Sequence, residues 1–128
     1  MNTKNALIFD DDPNIRDLLE AVLLEKGYNV TSFSSPLEFL SNVPECCHKA
    51  CRTCADLILT DIRMPGMSGI EFLKQIKERD CKIGHQSKGV ISGYYSDENL
   101  LEVEQMGCKV FKKPTAVSEI FSWLDQCA

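Results

Sequence analysis

Five successive units, each a short apolar run followed by a helical pattern, predict an α/β protein with a parallel sheet covered by helices on both faces. Three observations carry that prediction. Runs such as Leu57-Ile58-Leu59 are apolar without alternation, as strands buried on both faces are. Between such runs, apolar residues recur at helical spacing. No linker or low-complexity stretch interrupts the alternation, and 128 residues is the size of one domain.

Asn5–Phe9 is the first strand. Ile15, Leu18, Leu19, Val22 and Leu23 then fall at i, i+3, i+4, i+7 and i+8, an amphipathic helix stopped by Gly27. Tyr28–Phe33 is the second strand. Ser35-Pro36 supplies a cap and a first-turn proline for a short helix ending near Val43-Pro44. Leu57–Thr60 is the third strand, and Ile70, Leu73 and Ile76 mark a helix after Gly69. Gly89–Ser92 is the fourth strand, followed by a helix from about Asp97 to Met106 with Gly107 as its stop. Val110-Phe111 lies in the fifth strand, and Val117, Ile120, Phe121 and Leu124 form the buried face of a last helix. The whole of residues 1–128 is thereby read as one domain with no output module after it.

Composition narrows the function. With 44% hydrophobic and 26% charged residues the chain has the make-up of an ordinary soluble domain. A net charge of −5 draws it toward neither a nucleic-acid backbone nor an anionic membrane. Apolar runs fall far short of the ~20 residues that span a bilayer, and the N-terminus lacks the h-region and cleavage site of a secretory signal. The expectation is a cytoplasmic protein that binds no nucleic acid directly.

In a parallel sheet, ligands bind beyond the carboxyl ends of the strands, where the strand order switches. The residues standing there are Asp10-Asp11-Asp12, Asp61, Ser92-Gly93 and Lys113-Pro114. Each has an ordinary structural explanation alone: Asp12 before Pro13 is a helix cap, and Ser92-Gly93 is turn chemistry. Together they do not, because converging carboxylates repel one another unless a cation sits among them. Carboxylates with waters suit Mg²⁺. A carboxylate beside that ion can act as nucleophile toward a phosphoryl group, with a lysine ammonium neutralising the transferring oxygens. A hydroxyl from Ser92 would donate a further hydrogen bond to the phosphoryl group once it is in place.

The stretches FDDDPNIRDLL (9–19), LILTDIRMPGMSGIEFLKQI (57–76), VISG (90–93) and FKKP (111–114) resemble, in order and spacing, the receiver domain of two-component response regulators. The resemblance implies a doubly wound, flavodoxin-like fold of five strands in the order 2-1-3-4-5. It implies Asp61 as phosphoacceptor, Ser92 as switch hydroxyl and Lys113 as the phosphate-contacting lysine. Asp10 and Asp11 would form the acidic pocket, with Mg²⁺ held there by Asp11, Asp61 and the backbone carbonyl of Arg63. The implied partners are a sensor histidine kinase or phosphotransfer protein and a downstream protein target. The family's aromatic switch lies three residues before the lysine, at Val110. The segment from Gly107 to Lys113 is one residue shorter than the family norm, which makes Phe111 the alternative. Arg63 and Tyr94 would flank the phosphoryl group and shield it from water, giving a comparatively long-lived phosphoaspartate. Two enzyme readings of the architecture fail: three aspartates after the first strand would repel a flavin phosphate, and a haloacid-dehalogenase-type phosphatase wants an Asp where Arg63 stands.

Four of the seven cysteines lie in CCHKACRTC, residues 46–54, and lengthen the connection into the third strand. Cys81 and His85 precede the fourth strand, Cys108 the fifth, and Cys127 ends the last helix. Helices return antiparallel to strands, so all seven cysteines map to the edge opposite Asp61. Cys47, Cys51 and Cys54, with Cys46, His48, Cys81 or His85, would close a tetrahedral zinc site or hold an iron–sulfur cluster. On that alternative the chain is a metal- or redox-sensing module on a receiver scaffold. Packing accounts better for Cys108 and Cys127, which would serve as small buried hydrophobes.

Overall fold

A computed structural model describes residues 4–42, 56–64, 66–78, 88–92, 97–112 and 117–127. In chain order the elements are β1 (Asn5–Phe9), α1 (Pro13–Glu25), β2 (Asn29–Phe33), α2 (Pro36–Asn42), β3 (Leu57–Asp61), α3 (Gly69–Glu78), β4 (Lys88–Ser92), α4 (Asp97–Gln105), β5 (Lys109–Lys112) and α5 (Val117–Cys127). The five strands pair in parallel in the order β2-β1-β3-β4-β5.

Side-chain alternation along each strand feeds two cores. On one face Leu7, Phe9, Ile58 and Val90 meet Ile70 and Leu73 of α3 and Val103 of α4. On the other, Ala6, Ile8, Leu57, Leu59, Ile91 and Phe111 meet Leu19, Val22 and Leu23 of α1 and Ile120, Trp123 and Leu124 of α5. β3 lies at the sheet's centre, and every one of its residues is buried. Such double burial is what an unbroken apolar run requires.

The local signals act where the sequence places them. Asp12 caps α1, its carboxylate accepting from the Asn14 amide at 2.9 Å, and Pro13 opens the first turn. Gly27 and Gly107 follow α1 and α4 at φ of 90° and 81°, the left-handed conformation that ends a helix. Four strands differ from expectation by a residue or two: Tyr28 precedes β2, while β3 takes in Asp61, β4 takes in Lys88, and β5 runs from Lys109 to Lys112. Leu18, expected in the buried stripe of α1, is 44% exposed because it lies at the rim of the face formed by Leu19, Val22 and Leu23.

Candidate functional site

The chain leaves β1 for β2 on one side and later returns through β3 on the other, so the switch in strand order falls between β1 and β3. Phe9 is in register with Thr60. The next residues along are Asp10 and Asp61, which therefore leave the sheet side by side. Both are buried, at 1% and 6% exposure, whereas Asp11 is exposed. One carboxylate oxygen from each of Asp10, Asp11 and Asp61 lies within 4.8 Å of the other two. The donor set is all hard oxygen with one member open to water, and it fits a small divalent cation that keeps several waters.

Hydrogen bonds fix each carboxylate. The Asp61 Oδ1 accepts from the amide of Ile62 at 2.7 Å and from that of Arg63 at 3.4 Å. The Asp10 Oδ1 accepts from the Asp12 amide at 2.9 Å, and the Asp10 amide donates to the Phe33 carbonyl at 3.1 Å. Three residues that the pattern of the sequence did not single out complete the arrangement. Thr60 donates its hydroxyl to the Asp61 carbonyl at 2.9 Å. Gly69 sits so close to that carbonyl that a Cβ would overlap it. Arg16 donates from Nη1 to the Asp10 carbonyl at 2.7 Å. For Arg16 there was a signal, a cation in the first turn of a helix, where the macrodipole disfavours one; for Thr60 and Gly69 there was none.

Of the expected site residues, the structure brings Asp10, Asp11, Asp61 and the backbone of Arg63 together, with the Arg63 side chain exposed. Ser92 ends β4, the neighbour of β3, and so stands on the same edge; its side chain, like Tyr94 and Lys113, lies outside the described residues. Cys46, Cys47, His48, Cys51, Cys54, Cys81 and His85 lie outside them too. Cys108 is described: it is buried before β5, and burial pushes its thiol up from the ordinary 9.0, with Lys88 opposing. That is the packing role expected for it. The two candidates for an aromatic switch separate cleanly. Val110 is half-buried against the α3–α4 core, while Phe111 is 1% exposed and held edge-to-face on Trp123 at 5.4 Å. The Phe111 ring belongs to the α1–α5 core.

Among the described residues, no helix is long and apolar enough to cross a membrane.

Residues 6–125 match the family model of the response regulator receiver domain. Sporulation initiation phosphotransferase F of Bacillus subtilis (strain 168) is 32% identical over 122 residues, covering 94% of this chain and 90% of that protein. The DNA-binding transcriptional regulator NtrC of Klebsiella pneumoniae is 43% identical over 74 residues, which make up 58% of this chain but only 14% of that longer relative. A response regulator receiver domain protein (CheY-like) from Methanospirillum hungatei JF-1, solved by crystallography, superposes with a TM-score of 0.77 at 27% identity, covering 98% of this chain and 93% of that one. A match along nearly the whole chain, and a fold whose carboxylates gather at the switch point, lead to one assignment: this chain belongs to the response regulator receiver domain family.

Proposed function

We propose that this chain accepts a phosphoryl group on Asp61 and signals through the change in partner binding that follows. The observation that carries the proposal is the gathering of the Asp10, Asp11 and Asp61 carboxylate oxygens within 4.8 Å at the switch point of the sheet. The donor is the phosphohistidine of a sensor histidine kinase or of a phosphotransfer protein. A carboxylate oxygen of Asp61 attacks phosphorus, the phosphorus–nitrogen bond breaks, and the imidazole leaves with its electron pair and takes up a proton. The amides of Ile62 and Arg63 hold the Asp61 carboxylate by its Oδ1, so it meets the donor in one orientation. Asp11, Asp61 and the Arg63 carbonyl, with Asp10 beside them, are the groups to hold Mg²⁺, which when bound supplies positive charge for the transferring oxygens. Ser92, the last residue of β4, and Lys113, which follows β5 in the sequence, supply a hydroxyl and an ammonium for the same oxygens.

The test is intact-mass spectrometry after incubation with a small phosphodonor and Mg²⁺. The wild-type chain gains the mass of one phosphoryl group; Asp61→Asn does not, and a chelator removes the gain. A phosphoryl increment that persists in Asp61→Asn assigns the acceptor to another residue.

A further inference from the structure

We propose that Arg16 is a positioning residue for the acidic corner, holding Asp10 and Asp11 in the geometry that takes a divalent cation. The inference rests on the reading of that corner as a Mg²⁺ site and goes beyond it to a residue that touches neither the ion nor the phosphoryl group. Arg16 stands one turn into α1, where its amide donates to the Asp12 carbonyl at 3.0 Å and closes the first helical bond. Its side chain turns back over the helix start, and Nη1 donates to the Asp10 carbonyl at 2.7 Å. One residue thus joins the last carbonyl of the strand end to the first turn of the helix. The side-chain grip is on the peptide group that joins Asp10 to Asp11, the two residues whose carboxylates face the corner.

The placement has no independent justification in helix stability. The N-terminal end of a helix carries partial positive charge and disfavours a cation; what favours one here is the neighbouring carboxylates, Asp12 at the cap and Asp10 and Asp11 before it. Nor is Arg16 spent on a salt bridge: the ion pairs among the described residues are Lys26–Asp125 and Lys74–Glu102. A half-buried guanidinium beside these carboxylates, bonded to a backbone carbonyl of the site and to no side chain among the described residues, is placed for that corner.

Positioning and simple electrostatics predict opposite signs. A positive charge near a cation site repels the cation, so its removal alone would tighten Mg²⁺ binding. Loss of the grip instead lets the Asp10–Asp11 peptide rotate and spreads the three oxygens, so binding weakens. Supporting groups around metal ligands typically cost about 10–100-fold in affinity when removed.

The measurement is the Mg²⁺ dissociation constant by isothermal titration calorimetry on metal-free wild-type, Arg16→Met and Arg16→Lys chains. Arg16→Met keeps the aliphatic stem without donor or charge and is expected to bind about tenfold more weakly or worse. Arg16→Lys restores a donor and is expected to fall between Arg16→Met and wild type. Binding by Arg16→Met as tight as wild type, or tighter, overturns the proposal. Should Arg16→Met fail to fold, Arg16→Leu, which also lacks donor and charge, reads in the same way. A wild-type chain that binds no Mg²⁺ overturns the reading of the corner itself, and that result is seen before any variant is made.

Discussion

At Gly69 a single hydrogen separates the start of α3 from the carbonyl of Asp61. A Cβ placed there would overlap that oxygen and come within 2.9 Å of the Thr60 hydroxyl, which is itself bonded to the same carbonyl. The Gly69 amide meanwhile donates to the Ile62 carbonyl at 2.9 Å, drawing the loop after β3 back onto the strand end. Gly69→Ala must therefore displace backbone that carries the proposed acceptor, since no flexible side chain is available to yield. The expected cost is about 1–3 kcal/mol of stability, with a larger consequence for chemistry, because a displacement near 1 Å can slow a reaction by about a hundredfold. Phosphorylation kinetics with a small phosphodonor, beside circular dichroism of the same sample, check this; a folded Gly69→Ala chain with wild-type rates would refute it. The sequence marks Gly69 as the start of a helix and no more. A clash between residues eight apart depends on how a loop folds back, and periodicity carries no record of that. Asp12, by contrast, was legible, because a helix cap acts on its own neighbours two residues on.

The docking of α5 on β4 and β5 shows the same division one level up. The stripe Val117, Ile120, Phe121 and Leu124 reads as the buried face, yet Phe121 is half-buried and its ring carries the Lys26 ammonium at 5.0 Å. The residue driven home instead is Trp123, 7% exposed and edge-to-face on Phe111. It fits because Gly89 of β4 has no side chain: a Cβ there would stand 2.7 Å from Leu59, 2.9 Å from Trp123 and 3.3 Å from Phe111. The helix stripe thus depends on an absence in a strand three elements earlier. Strand ends were blurred for a related reason. Lys109 and Lys112 are exposed on β5, an edge strand, where charge blunts pairing with another chain but hides the strand from a hydrophobic pattern. Trp123→Ala, which leaves a cavity bounded by Phe111 and Leu59, is expected to lose about 3–5 kcal/mol in urea unfolding. Lys26→Ala removes an exposed ion pair and a surface cation–π contact and should lose about 1 kcal/mol or less. Equal losses from the two would mean that α5 is held by its rim and not by its ring.

Across the whole molecule, the alternation of strand and helix was enough to predict the fold class, and the order β2-β1-β3-β4-β5 follows the family resemblance. Topology then does what no local pattern does: it brings residues 51 positions apart, Asp10 and Asp61, to adjacent strand ends. That convergence carries a cost the fold must meet in the absence of a cation. Two buried carboxylates and a third beside them repel, and the folded state bears repulsion that the unfolded chain relieves by separating them. A ligand that binds the folded state alone stabilises it by about 2.7 kcal/mol at a hundredfold excess over its dissociation constant. For a domain between the usual size classes that corresponds to a rise of about 10 °C in Tm. The metal-free wild-type chain is therefore expected to melt low and to rise on addition of Mg²⁺. Asp11→Asn removes one of the three charges without touching the buried pair, so it should melt above wild type without Mg²⁺ and gain little from adding it. Thermal unfolding of both chains, with and without Mg²⁺, is the check. If Asp11→Asn melts below wild type in both conditions, the exposed carboxylate is structural, and the corner is not a site held open for a cation.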